Sequence, residues 1–296
     1  MIVNDILVKH QDGREQSLLS PPLCITSLTG LGIEIQQTST KLFGIDGSIV
    51  NTETINERTI TLKIQNFERV YTSHNEWIQE VFPMREDFEL IIRGTMGAVS
   101  IARKIVCRLK KLKPSEFTED DSYDVQLTCN DPYFHDEDAI GVLNSSSQAA
   151  FHFPFSVRKS KPILFGRLRT SQRNTLYNTG SIEVGFLTYI SVLPEGNEVS
   201  GIKIYSLKKP EEFILIDEGL KLQPGQTLVI DTNERTAGIH LIGTDGTKSN
   251  VLYYLNTDTT FFQLPKGQTD VMFEITNGDV EYVDVLYSYN NSYAGV

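Results

Sequence analysis

The sequence is poor in the groups that carry chemistry. Its three cysteines, Cys24, Cys107 and Cys129, are an odd number without metal-type spacing. That usage fits a protein made in a reducing cytosol and argues against a scaffold built on disulfides. The five histidines, His10, His74, His135, His152 and His240, are isolated from one another along the chain. No H-E-x-x-H, C-x-x-C, G-x-S-x-G or H-x-H occurs, so no familiar metal site or nucleophile elbow is written here. No run of about 18 apolar residues exists to form a membrane-spanning helix. The opening residues, MIVNDILVKH, lack a basic stretch followed by an apolar one and a small-residue cleavage site, so no secretory signal is expected.

Basic charge is also scarce. The net charge is −11. Residues 1–150 hold 14 basic and 22 acidic side chains, net −8, and residues 151–296 hold 13 and 16, net −3. A tight nucleic-acid binder needs a basic surface to release counterions. The acidic balance does not argue against a channel through which nucleic acid slides without sticking.

Strand patterns dominate what is present. With 296 residues the prior is two domains. In "ITSLTGLGIEIQ" and "RTITLKI" the period is two, and Ile60, Leu62 and Ile64 share one face. The intervening "FGIDGSIVNTETINE" is polar and rich in turn residues, and reads as a long loop or excursion. One helix is signalled by "SHNEWIQEVFP". Ser73 and Glu76 form a capping box, Trp77, Ile78, Val81 and Phe82 fall on one side, and Pro83 stops it. Trp77 is the only tryptophan and is expected in the core. "RGTMGA" between two apolar runs reads as a hairpin; as a phosphate loop it lacks G-x-G-x-x-G and a following helix.

Residues 139–150, AIGVLNSSSQAA, are small, polar and uncharged and read as a linker. It divides an N-terminal domain, 1–145, from a C-terminal one, 146–296. Beyond it, short strands are expected at "PILFGRL", "SIEVGFLTYISV", "VSGIKIYSL", "EFILID", "TLVIDT", "GIHLIG", "NVLYYL", "TFFQL", "DVMFEI" and "VEYVDVLYSY". Turn signals such as "LPEGNE", "QPGQ" and "LPKGQ" separate them. Regular short strands of this kind mean a sandwich or barrel, and the two Pro…Gly-Gln-Thr turns mark two of its corners.

Candidate sites are few. In "YFHDED", His135 with Asp136 and Asp138 offers ligands to a cation, but no further ligand can be assigned, and a solvated loop is the preferred reading. The cysteines read as small apolar strand residues. No particular pair among the 38 acids points to glycosidase carboxylates. Neither a catalytic residue nor a cofactor is assigned.

The order of pieces resembles the distal tail protein of long non-contractile phage tails. The matching features are "FGIDG" after an early strand, "RTITLKI", the short helix and "LTCNDPYF". In the second half they are "FHFPFS", "YNTGSIEV", "LQPGQTLVIDT" and "FFQLPKGQTDVMFEI". The resemblance implies a mainly β protein: an N-terminal β-sandwich or split-barrel belt domain with a short helix, and a galectin-like C-terminal β-sandwich. It also implies a homo-hexameric ring in the virion tail tip, assembled in the host cytoplasm. Such a ring joins the tail tube protein to the tail-tip, lysin-bearing protein, can hold receptor-binding proteins, and passes the tape measure protein and DNA. Membrane insertion is not implied. Galectin sugar sites use H-x-N-x-R and a stacking tryptophan. Residues 151–296 have neither, so binding of simple β-galactosides is not expected.

Residues 103–113 carry six basic side chains and no acid, and residues 114–138 carry nine acids and no base. A ring is built from heterologous contacts, and opposite charge on the two faces would fix register. Arg108, Lys110 and Lys111 are thus candidates to meet Glu119, Asp120 and Asp121 of the next subunit, against the alternative that the blocks pair within one chain or simply face water. Two other classes of function stand beside the hub. One is a carbohydrate-binding surface module using Tyr253, Tyr254, Phe261 and Phe262. The other is an enzyme acting on cell-wall polymer.

Overall fold

The computed structural model describes residues 2–20, 23–44, 46–66, 74–114, 122–149, 166–170 and 172–296. The protein is mainly β and divides into two compact units, Met1–Glu137 with Ser292–Val296, and Asp138–Asn291.

The first unit contains β1 (Ile2–Lys9), β2 (Glu15–Ser17), β3 (Leu23–Thr29), β4 (Ile35–Thr40), β5 (Ile49–Ile55), β6 (Arg58–Asn66), α1 (His74–Val81), β7 (Asp87–Met96), β8 (Val99–Pro114), β9 (Ser122–Cys129) and β10 (Phe134–Asp136). One antiparallel sheet runs β2-β1-β7-β8-β9-β6-β3, with β10 pairing onto β8. The period-two reading of β6 is met: Ile60, Leu62 and Ile64 are wholly buried while Thr59 and Lys63 are exposed. The helix presents Ile78 and Val81 to the same core, with Phe82 following its last turn. Ser73 of the capping box and the side chain of Trp77 lie outside the described residues. Met96 pairs with Val99 across the expected hairpin. Gly97, at φ 63°, takes the positive-φ place such a two-residue turn needs.

Two readings of this half change. "ITSLTGLGIEIQ" is not one strand, because the chain breaks at Gly30 (φ 89°). A Cβ there would lie 2.2 Å from the Thr59 carbonyl oxygen, so only glycine fits. Gly30→Ala is expected to cost at least about 2 kcal/mol, read as a lower denaturation midpoint. The polar excursion is no loop either. β4 and β5 pair antiparallel into a two-stranded arm inserted between β3 and β6. Thr, Val and Ile suit a strand when a partner stands opposite. Gln37 bonds Glu53 and Asn51 bonds Thr40 across it.

The second unit contains β11 (Ile140–Leu143), β12 (Ser145–Ala149), β13 (Gly166–Thr170), β14 (Arg173–Asn178), β15 (Leu187–Val192), β16 (Ser200–Ser206), β17 (Phe213–Ile216), β18 (Thr227–Asp231), β19 (Gly238–Ile242), β20 (Lys248–Asn250), β21 (Gly267–Asn277) and β22 (Val283–Tyr289). A six-stranded sheet, β11-β22-β15-β18-β19-β20, and a four-stranded one, β14-β21-β16-β17, share a single core around Phe186, Phe273 and Tyr287. This is a β-sandwich. The two Pro…Gly-Gln-Thr turns are indeed corners, and they carry the chain between sheets. Leu222 bridges to Val199, just ahead of β16, before the first turn leads into β18. Leu264 bridges to Val184, ahead of β15, before the second leads into β21.

The expected linker is strand instead. β11 pairs with β22, Ile140 opposite Tyr289 and Leu143 opposite Leu286, and β12 pairs with β13. Ile140 and Val142 pack against the sandwich core, so small residues with two apolar ones suffice for an edge strand. "NVLYYL" is also no strand. Asn250 Oδ1 accepts from the Leu252 amide (2.9 Å), opening a 3₁₀ turn over Leu252–Tyr254. "TFFQL" is not a strand; it touches other segments through the Thr260 amide, which donates to the Phe213 carbonyl, and through the bridge of Leu264 to Val184. "FHFPFS" lies outside the described residues. The chain ends in β23 (Ser292–Tyr293), which pairs with β10 in the first unit.

Candidate functional site

The sequence offered no catalytic constellation, and among the described residues no group of three or more His, Cys, Asp or Glu side chains is placed to hold a metal ion. His135 is drawn into a different arrangement. Its Nε2 lies 3.0 Å from Asp131 Oδ2 and its Nδ1 lies 2.9 Å from Ser292 Oγ. Serine, histidine and carboxylate are thus in series, yet Ser292 is buried and strand-paired to β10, so the series clasps the terminal segment.

That clasp continues through two arginines. Arg58, at the start of β6, is buried. It donates from Nε to the Pro132 carbonyl (2.6 Å), from Nη1 to those of Leu31 (2.8 Å) and Gly32 (2.9 Å), and from Nη2 to that of Ala294 (2.6 Å). Its guanidinium stands over the Phe134 ring, 4.8 Å from the centroid. Arg103 stacks on Tyr293 at 3.3 Å and donates to the Gly295 carbonyl. Burial lowers the pKa of both guanidinium groups from the ordinary arginine value. No sequence motif marks Arg58. A basic residue opening an apolar strand is the only signal, and it is weak.

The basic block spends several of its charges within the chain. Arg108 Nε meets Asp87 Oδ1 at 2.7 Å, Lys110 meets Glu57 at 3.7 Å and Lys104 meets Glu89 at 3.2 Å. Lys111 is exposed on the same strand. Glu119, Asp120 and Asp121 lie outside the described residues. The four aromatic candidates of the second unit separate: Phe262 is in the core, Phe261 and Tyr254 pack against it, and Tyr253 is exposed with its ring stacked 4.1 Å from that of Tyr254.

Among the described residues, the surface most in need of a partner is the β4–β5 arm. All six residues of β4 are exposed, as are the first six of β5. Ile35, Leu42, Ile49 and Val50 are exposed, and Phe43 at the tip is fully so. An isolated two-stranded ribbon is marginal in water, and clustered exposed apolar side chains mark an interaction site. The sequence reading missed this because the tip's glycines and polar neighbours look like an ordinary loop.

No family model and no curated protein matches the chain. Solved structures do. The Dit protein of phage SPP1, described as a paradigm of the hub adsorption apparatus in phages infecting Gram-positive bacteria, aligns over 97% of this chain and 98% of its own, with a TM-score of 0.64 and 12% identity. A chain of the phage P2 baseplate in its activated conformation with calcium aligns over 100% of both, at 0.55 and 11%. The corresponding strontium structure gives 0.54 and 11% over 99% of each chain. At such identity the likeness is one of fold, and it runs the full length of the chain.

Proposed function

We propose that this protein is a structural hub of a phage tail tip, a distal tail protein that closes into a six-membered ring between the tail tube and the tip proteins. Tape measure protein and DNA pass through its lumen, and receptor-binding proteins attach to its periphery. The observation that carries the reading is the arm: a hub fold along the whole chain, with exposed apolar side chains concentrated on one projecting ribbon of the first unit. In a ring, one face of each subunit meets a different face of the next. The arm is the face that gains most by being covered, and the charges around Lys111 steer more than they hold.

The test is the mass of the protein in solution, alone and with its tube and tip partners. A ring has about 200 kDa, six times the 33.4 kDa chain. Phe43→Asp is expected to raise the concentration needed for assembly roughly ten- to hundredfold, the equivalent of ~1.5–3 kcal/mol for one buried aromatic side chain. Assembly unaffected by Phe43→Asp removes the arm from the interface, and a chain that stays monomeric with its partners present removes the ring. Tyr253, stacked and exposed, supports a second reading in which the second unit binds surface carbohydrate. A glycan array with Tyr253→Ala as its control separates the two.

A further inference from the structure

Cys107 lies on β8 and Cys129 ends β9. Arg108 pairs with Thr128, so the next step along the antiparallel ladder sets Cys107 opposite Cys129 with both side chains on the core face. Both are buried, and their Sγ atoms are 3.2 Å apart. That is inside ordinary non-bonded contact for two sulphurs. Directly opposed strand positions also have the Cα separations that disulfides use, roughly 4.5–5.5 Å. Beside them the ladder shifts register between Leu109 and Lys111, an irregularity that lets the strands adjust by the small movement a bond requires. Cys24, the third cysteine, is on β3 and half-buried.

We propose that Cys107 and Cys129 are a redox pair that closes an intrachain disulfide, stapling β8 to β9, when a small peroxide reaches the folded chain. The first sulphur attacks hydrogen peroxide, breaking the O–O bond and giving a sulfenic acid and water. The second sulphur displaces the hydroxyl from the first, releasing a second water. Two thiols and one peroxide therefore give one disulfide and two waters. The hydrogen bond shared with Cys129 and burial hold the Cys107 thiol above its ordinary pKa, which slows the first attack and calls for millimolar peroxide. The chemistry stands independently of the hub reading. Only its timing rests on that reading, in which the particle leaves a reducing cytoplasm for an oxidising exterior.

The experiment uses the full chain carrying Cys24→Ser, so that only this pair reacts. The folded protein is treated with millimolar hydrogen peroxide, quenched, unfolded in the presence of iodoacetamide, digested and weighed. The expected result is one pair of peptides joined through Cys107 and Cys129, two hydrogens lighter than the free peptides and separated by dithiothreitol. Recovery of both cysteines alkylated, or of one as a sulfinic acid with the other alkylated, overturns the proposal. Closing a loop of about 20 residues should also raise the Tm of the first unit by on the order of 10 °C. The further change Cys129→Val should abolish that rise. An oxidised protein that melts no higher than its reduced form overturns the staple.

Discussion

Removing residues 292–296 is expected to unfold the first unit while the second unit survives. These five residues supply the partner strand of β10, with Tyr293 opposite Phe134 and Ser292 opposite His135. They supply the Ala294 carbonyl to buried Arg58 and the Gly295 carbonyl to Arg103. Tyr293 and Val296 also pack against the core of the first unit. A hydrogen bond to a charged group is worth ~1.5–3 kcal/mol, and burying an apolar side chain about as much. The summed loss is therefore on the order of 5 kcal/mol or more, which rivals the whole stability of a marginal domain. The second core is built from residues 176–289 and loses nothing. Calorimetry should show two transitions for the full chain and one for the truncated chain. Two transitions within about 2 °C of the full chain's would show that the segment is ornamental.

Arg58 is the second large lever. Its guanidinium donors hold the segment after β3 at Gly30–Gly32, the turn at Pro132 and the terminal segment at Ala294. Arg58→Ala leaves those carbonyls without their donor and opens a void against Phe134. The expected cost is about 3–5 kcal/mol, a fall of roughly 10–20 °C in the Tm of the first unit. Arg58→Lys should recover little, because one ammonium cannot reach carbonyls arrayed around a planar fork. A lysine variant as stable as the original would show that the charge matters and the fork does not.

The β-rich class, the buried face of β6, the helix with its Ile78, Val81 and Phe82 stripe, and the two Pro…Gly-Gln-Thr corners are all legible in the order of the residues. Each rests on spacing within a dozen residues, where side-chain direction follows directly from backbone period. The other features depend on pairing between segments far apart in the chain. Ile140–Leu143 is a strand because β22, far along the chain, offers it an edge. Residues 35–55 form an arm because two polar segments find each other, and propensity there is weaker than pairing. Asn250 turns the chain where apolar residues alone suggested a strand. Arg58 is a hub only because three distant segments bring their carbonyls to it. Cys107 and Cys129 meet only because β8 and β9 pair in one register. Local pattern fixes which way a side chain faces. Which groups it faces is set by partners distant in sequence, and those are fixed only when the whole chain folds.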